Sequence, residues 1–184
     1  STRPVVKPCR GFYIMTEKKG RGRPKGAPNK PKMKLVTERV TLQNDADAYE
    51  ILCQANIVAE EDASLAAQGL RVFNERNASI KPILQWMFDP AINSTLPEGK
   101  TPYGSNNAPA SDLTESSLRF EHKMFKYFVT EQVPVSKREA LWIGLLEGIP
   151  KEEAELIDLV KDGVWAFPNI TSKIAKDAFP EINV

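Results

Sequence analysis

Arg21, Gly22, Arg23 and Pro24 stand in succession inside a basic stretch at residues 18–34, and their types and order suit recognition of the minor groove of A·T-rich duplex DNA. Two guanidinium groups flank a glycine without a side chain, so the backbone can lie against the floor of a groove, and the proline directs the chain along an extended, non-helical path. The floor of an A·T groove offers only adenine N3 and thymine O2 acceptors. A G·C pair would push an amino group into the incoming backbone, and the negative potential of a narrow groove favours inserted arginines. Lys18, Lys19 and Lys25 flank this core and Lys30, Lys32 and Lys34 follow it, placed to neutralise phosphates. A single hook of this kind makes few contacts and must be ordered on binding, so appreciable affinity requires a second contact surface or several copies. The plain alternative is a solvated basic tail that docks loosely on any acidic surface.

Over Arg21, Gly22, Arg23 and Pro24 the run resembles the core of the AT-hook family. The resemblance implies double-stranded, A·T-rich DNA as partner, with Arg21 and Arg23 in the groove and Gly22 and Pro24 setting the backbone path.

Other residues that could do chemistry have simpler accounts. His122, the one histidine, falls on a helical face with Leu118, Phe125 and Val129, and without a second histidine or a nearby cysteine it builds no familiar zinc site. Glu60, Glu61 and Asp62, and again Glu152, Glu153 and Glu155, could hold Mg²⁺ for nuclease chemistry. At helix N-termini, however, carboxylates oppose the positive end of the helix dipole, gaining about 0.3–1 kcal/mol each. Lys161-Asp162-Gly163 invites comparison with the nucleotidyl motif of DNA ligases, but the residue between lysine and aspartate is missing, and a helix end stopped by glycine explains the same three residues. No phosphate-cradling Walker pattern is present, and no nucleophile is legibly paired with a base. The expectation is a non-enzymatic protein with no catalytic residues, no metal and no cofactor.

The formal net charge of +1 hides a strong division. Residues 1–39 contain 12 Lys/Arg against 2 Asp/Glu, whereas residues 40–184 contain 13 against 22. That asymmetry suggests a basic arm for a polyanion, and an acidic body that DNA would repel over most of its surface. With 184 residues, 41% of them hydrophobic, the chain suits one domain plus an appendage. Cys9 and Cys53 form neither a disulfide framework nor a metal site by spacing, so reducing, intracellular conditions fit. No apolar run is long enough for a bilayer and no secretory signal is visible. Residues 1–14, ahead of Met15, are assigned no function.

These residues must be positioned by a mainly α architecture: a helical domain preceded by an extended, intrinsically disordered basic arm. Residues 1–39 form the arm. Residues 40–88 form a helical segment in which Asn44 or Asp45 caps a helix with Tyr49, Leu52, Cys53 and Ile57 inward. A second helix at about 62–74 turns Leu65, Ala66, Gly69, Leu70 and Phe73 inward. Ser79 starts a short helix carrying Ile83, Leu84, Met87 and Phe88, ended by Asp89-Pro90. Residues 89–111, with four prolines and two glycines, form a long irregular connection, either a flexible hinge or a functional arm. Residues 112–184 form a further helical segment packing with 40–88 as one domain. Asp112 and Glu115 make a capping-box spacing ahead of Leu118, Phe120, Met124, Phe125 and Phe128, and Ser136 and Glu139 make another, with Val135 and Ala140 as a weak staple. Pro150 suits the first turn of a helix with Ala154, Ile157 and Val160 inward and Gly163 as its left-handed stop. Asn169 opens a last helix with Ile170, Ile174 and Ala178, closed by Pro180. Trp86, Trp142 and Trp165 belong in the core.

Trp86-Met87-Phe88-Asp89-Pro90 followed by Leu96-Pro97-Glu98-Gly99 resembles a pattern shared by uncharacterised proteins of large tailed phages, notably those of marine cyanobacteria, over roughly residues 80–182. That resemblance implies a viral origin and supplies no activity. Separately, an acidic helix, a short turn and a helix ending in Phe179-Pro180 before Ile182 is similar to the close of the helical DNA-binding domain in ATP-dependent DNA ligases, which implies a module touching duplex backbone.

Together these readings give a non-enzymatic, phage-encoded DNA-binding protein with an architectural or transcription-related role. Its hook holds A·T-rich duplex while the body self-associates, adds a second DNA contact or recruits a protein. No membrane is involved, and the expected place is the cytoplasm of an infected bacterium or the virion. The alternative is a virion or protein-interaction component whose basic arm threads into an acidic neighbour.

Overall fold

The computed structural model describes residues 33–104 and 116–184, and every ordered element among them is helical. α1 (Ala48–Glu61) starts at Asp47, which accepts a hydrogen bond from the Glu50 amide while the Glu50 carboxylate accepts from the Asp47 amide, a complete capping box. The cap is therefore neither Asn44 nor Asp45. Those two sit in a turn that Ala46 N–H closes onto the Gln43 carbonyl at 3.2 Å. Asp62 alone joins α1 to α2 (Ala63–Asn74) and caps it by accepting from the Leu65 amide. α3 (Ile80–Phe88) carries Pro82 in its first turn, where no amide donor is needed, and stops at Asp89 before Pro90.

After the irregular stretch, α4 (Leu118–Glu121) runs directly into a 3-10 turn (His122–Tyr127) rather than the long helix expected there. In a 3-10 turn residues three apart eclipse, and this lets Phe125 and Phe128 both enter the core while Phe120 stays 63% exposed. The proposed Asp112/Glu115 box lies outside the described residues. α5 (Val135–Gly148) has Pro134 at its cap position, so Ser136 is inside the first turn and makes no capping bond. Val135 is exposed and staples nothing.

α6 (Lys151–Lys161) begins after Pro150 and ends as expected at Gly163, whose φ is +73°. Gly163 N–H donates to the Val160 carbonyl and Val164 N–H to the Leu159 carbonyl, both at 2.9 Å, the paired bonds of a Schellman ending. α7 (Ser172–Ala178) is capped by Thr171. Asn169 does not open it, because its amide and side chain are held by Asn56 of α1 at 2.9 and 3.1 Å.

α6 lies at the centre, touching α1, α3 and α5, while α2 packs between α1 and α7. Ala154, Ile157 and Val160 are buried as expected, and so is Leu156. Trp86 and Trp142 join Phe125 and Phe128 in an edge-to-face cluster with centroids 4.9–5.8 Å apart, each such pair contributing about 0.5–1.5 kcal/mol beyond its area. Trp165 is half-buried between Phe88 and Phe167. Leu65, expected inside, is half exposed, since Ala66 and Leu70 present the face that meets α1.

Candidate functional site

Of the residues assigned to DNA, Arg21, Gly22, Arg23, Pro24, Lys18, Lys19, Lys25, Lys30 and Lys32 lie outside the described residues, as do residues 1–32 of the expected disordered arm. Lys34 is described. Its carbonyl accepts a 2.6 Å hydrogen bond from the Tyr49 hydroxyl of α1, and its side chain is exposed. Four residues on, the Glu38 carbonyl accepts from Gln54 Nε2 and Val40 N–H donates to Gln54 Oε1, each at 3.0 Å. Met33, Leu35 and Leu42 pack on the core beside them. Residues 33–42 are thus laid along α1 and belong to the compact unit of residues 32–184. The sequence puts the border of the arm at 39/40 because this stretch is polar. Packing moves it to 31/32, because two α1 side chains satisfy the stretch's backbone.

Beside this root lie the body's least expected groups. Glu153 is fully buried. It does not serve the start of its own helix as anticipated: Oε2 accepts from the amide of Ala48 and Oε1 from that of Leu118, both at 3.0 Å. One carboxylate of α6 thereby holds the first residues of α1 and α4. Burial pushes its pKa up against the pull of those two amides. Asp47, 9% exposed, is raised to about 7 by burial and then by the Glu153 charge. Glu60 and Glu61 end α1 rather than start a helix. Among the described residues no acidic, histidine or cysteine group is arranged to hold a metal ion.

The irregular connection is pinned, not a hinge, over residues 95–104. Lys161, with its side chain 1% exposed, donates to the carbonyls of Pro97 and Gly99 at 2.8 and 2.9 Å and to Asp162 at 2.7 Å. Asp158 accepts from the amide and hydroxyl of Thr101, Trp142 Nε1 donates to that hydroxyl, and Glu147 accepts from Gly104 N–H. Arg138, 4% exposed, donates to the carbonyls of Thr95 and Val133. Lys161 of the Lys161-Asp162-Gly163 run is therefore an internal clamp. The signal that could have found these groups was weak. A cation inside the apolar pattern of α6 hints at burial, but its carbonyl partners lie more than sixty residues away.

His122 is half-buried, as expected, and its ring nitrogens find no hydrogen-bond partner among the described residues. Burial, followed by the neighbouring Lys123 charge, lowers its pKa. Cys53 is a buried free thiol.

Among the described residues no helix is long and apolar enough to cross a membrane. No curated protein and no solved structure matches the chain. A profile of proteins of unknown function matches residues 61–165, more than half of the sequence. On that match the chain belongs to the family of unknown function DUF6433.

Proposed function

We propose that this is a non-enzymatic, phage-encoded DNA-binding protein that inserts Arg21 and Arg23 into the minor groove of A·T-rich duplex. Its role is architectural or transcription-related, in the cytoplasm of the infected bacterium. The observation that carries the reading is the Arg21-Gly22-Arg23-Pro24 core within a segment of 12 basic and 2 acidic residues. The anchoring of residues 34–40 on α1 supports it, because an arm rooted at a fixed point couples groove binding to whatever the body does.

Fluorescence titration with A·T-rich and G·C-rich duplexes at two salt concentrations tests the proposal. A·T preference is expected, and with about five phosphates neutralised the slope of log K against log salt is near −4.5. Arg21→Ala with Arg23→Ala should abolish the preference and leave thermal unfolding of the body unchanged. Equal binding to both duplexes would instead favour an arm that threads into an acidic protein neighbour, in the virion or elsewhere.

A further inference from the structure

We propose that the rod formed by α4 and its 3-10 continuation gives the body its own contact with the phosphate backbone of the duplex that the hook holds, through Lys123 and Lys126 with Phe120 beside them. The inference rests on the DNA reading above and names the second surface that a lone hook requires.

Its inner side is fixed by Leu118, Phe125 and Phe128, all buried. Phe120, Lys123 and Lys126 are all exposed and follow one another at steps of three. Lys123 and Lys126 lie within the 3-10 turn, where at about 2 Å per residue and three residues per turn their stems stack about 6 Å apart, and Phe120 precedes them in α4. The ion pairs among the described residues engage Lys81, Lys161 and Lys173 and leave Lys123 and Lys126 out. Lys126 instead sits 5.1 Å from the centroid of the Tyr127 ring. Phe120 is the only aromatic among the large hydrophobics left exposed in the described residues, and the Arg119 guanidinium lies 5.8 Å from its ring. A basic row edged by an uncovered ring suits a sugar-phosphate backbone, where cations meet phosphates and the ring packs on deoxyribose.

Among the described residues the acidic groups nearby leave the lysine end of this row open. Glu121 is half-buried and accepts from the Ser116 hydroxyl at 2.8 Å. Asp45, Asp47 and Glu50 line a groove of about 500 Å³ whose other wall includes Arg119 and Phe120, and Lys123 and Lys126 stand outside it. Glu131 follows the rod and is exposed. Arg119 is half-buried and its charge acts on Glu153, so it is left intact in the test.

The experiment uses the full chain carrying Lys123→Gln and Lys126→Gln, titrated with both duplexes between 50 and 200 mM salt. Losing two phosphate contacts should flatten the log–log slope by about 1.8, so the affinity lost across that range shrinks about twelvefold, with the ratio of A·T to G·C binding unchanged. Phe120→Ala should weaken both duplexes alike. A control with Lys100→Gln and Lys173→Gln removes the same charge from other exposed positions and should leave the slope near that of the parent. An unchanged slope in the Lys123/Lys126 variant, or equal flattening in the control, overturns the inference. If Arg21→Ala/Arg23→Ala meanwhile abolishes A·T preference, the hook reading survives that result. A parent chain that binds neither duplex removes the DNA reading itself.

Discussion

Raising the pH from 4 to 7.5 should destabilise the body, and Asp47→Asn should remove the share of that loss that Asp47 carries. Asp47 ionises near 3.8 in the open chain and near 7 in the fold, because it is buried and because Glu153 shares its surroundings. The folded state therefore holds a proton that the unfolded chain releases. Stability from the neutral carboxyl is fully present below about pH 4 and is lost as the pH rises through about 7. The gap between the two values corresponds to about 4 kcal/mol at roughly 1.4 kcal/mol per tenfold change in proton activity. Glu153, also raised, acts with the same sign. Asparagine keeps an oxygen for the Glu50 amide and has nothing to titrate. Urea unfolding followed by tryptophan fluorescence, in the parent and the variant at intervals between pH 4 and 8, measures the effect. The stability of the variant relative to the parent should climb by about 4 kcal/mol across the window. A difference that stays flat with pH would refute the reasoning, since only a group titrating differently in the two states can bend it.

The clamp and the helix stop give two further expectations. Lys161→Met leaves Asp158 and Asp162 without their buried cation and the carbonyls of Pro97 and Gly99 without a donor. It should cost about 3–5 kcal/mol, with hydrogen exchange accelerating first at Gly99 and Thr101. Gly163→Ala puts a side chain at φ +73° where space is open but the backbone is strained. It should cost about 1 kcal/mol, a fall in Tm of roughly 2–4 °C by calorimetry.

The legible parts of this fold are those governed by local rules. Pro150, the 154/157/160 spacing and Gly163 fix α6 from its start to its Schellman end, because each acts through residues of the same helix. Asp47 and Glu50 carry the same kind of local signal, a box at the right spacing, but the nearby Asn44 and Asp45 compete with it. Only the turn at 43–46 shows which acceptor reaches a free amide. The 3-10 turn at 122–127 was hidden, since its pattern of Phe125, Phe128 and His122 fits a helix of either pitch. Most obscure were Glu153 and Lys161. Their burial depends on amides and carbonyls supplied from 35 to 105 residues away, and no pattern within a helix encodes that pairing. The site assignments divide the same way. The Arg21–Pro24 run is a local motif that lies outside the described residues, whereas the row at 120–126 becomes visible only once the 3-10 geometry shows which side faces out.

The family match covers part of the body and none of the basic run. Residues 61–165 contain the whole clamp, from Thr95 to Gly104 on one side and Val133, Arg138, Trp142, Glu147, Asp158, Lys161 and Asp162 on the other, and they contain the row at 120–126. They do not contain the basic run at 18–34 or most of α1. The matched stretch thus takes in the pinned connection together with α2 to α6. Pinning costs two buried cations, Arg138 and Lys161, and the buried carboxylate of Asp158, a poor way to gain stability alone, because apolar side chains of similar volume commonly do as well. Its physical effect is to hold residues 95–104 and the adjoining start of α5 in one arrangement, with Thr95 bonded through both its amide and hydroxyl to the Phe128 carbonyl just past the 3-10 turn. The clamp thus braces the end of the rod that presents Lys123 and Lys126. If the proposed contacts hold, Lys161→Met should weaken DNA binding through the rod while sparing the A·T preference proposed for Arg21 and Arg23. If the variant stays folded and its salt slope matches the parent, the clamp and the rod act independently.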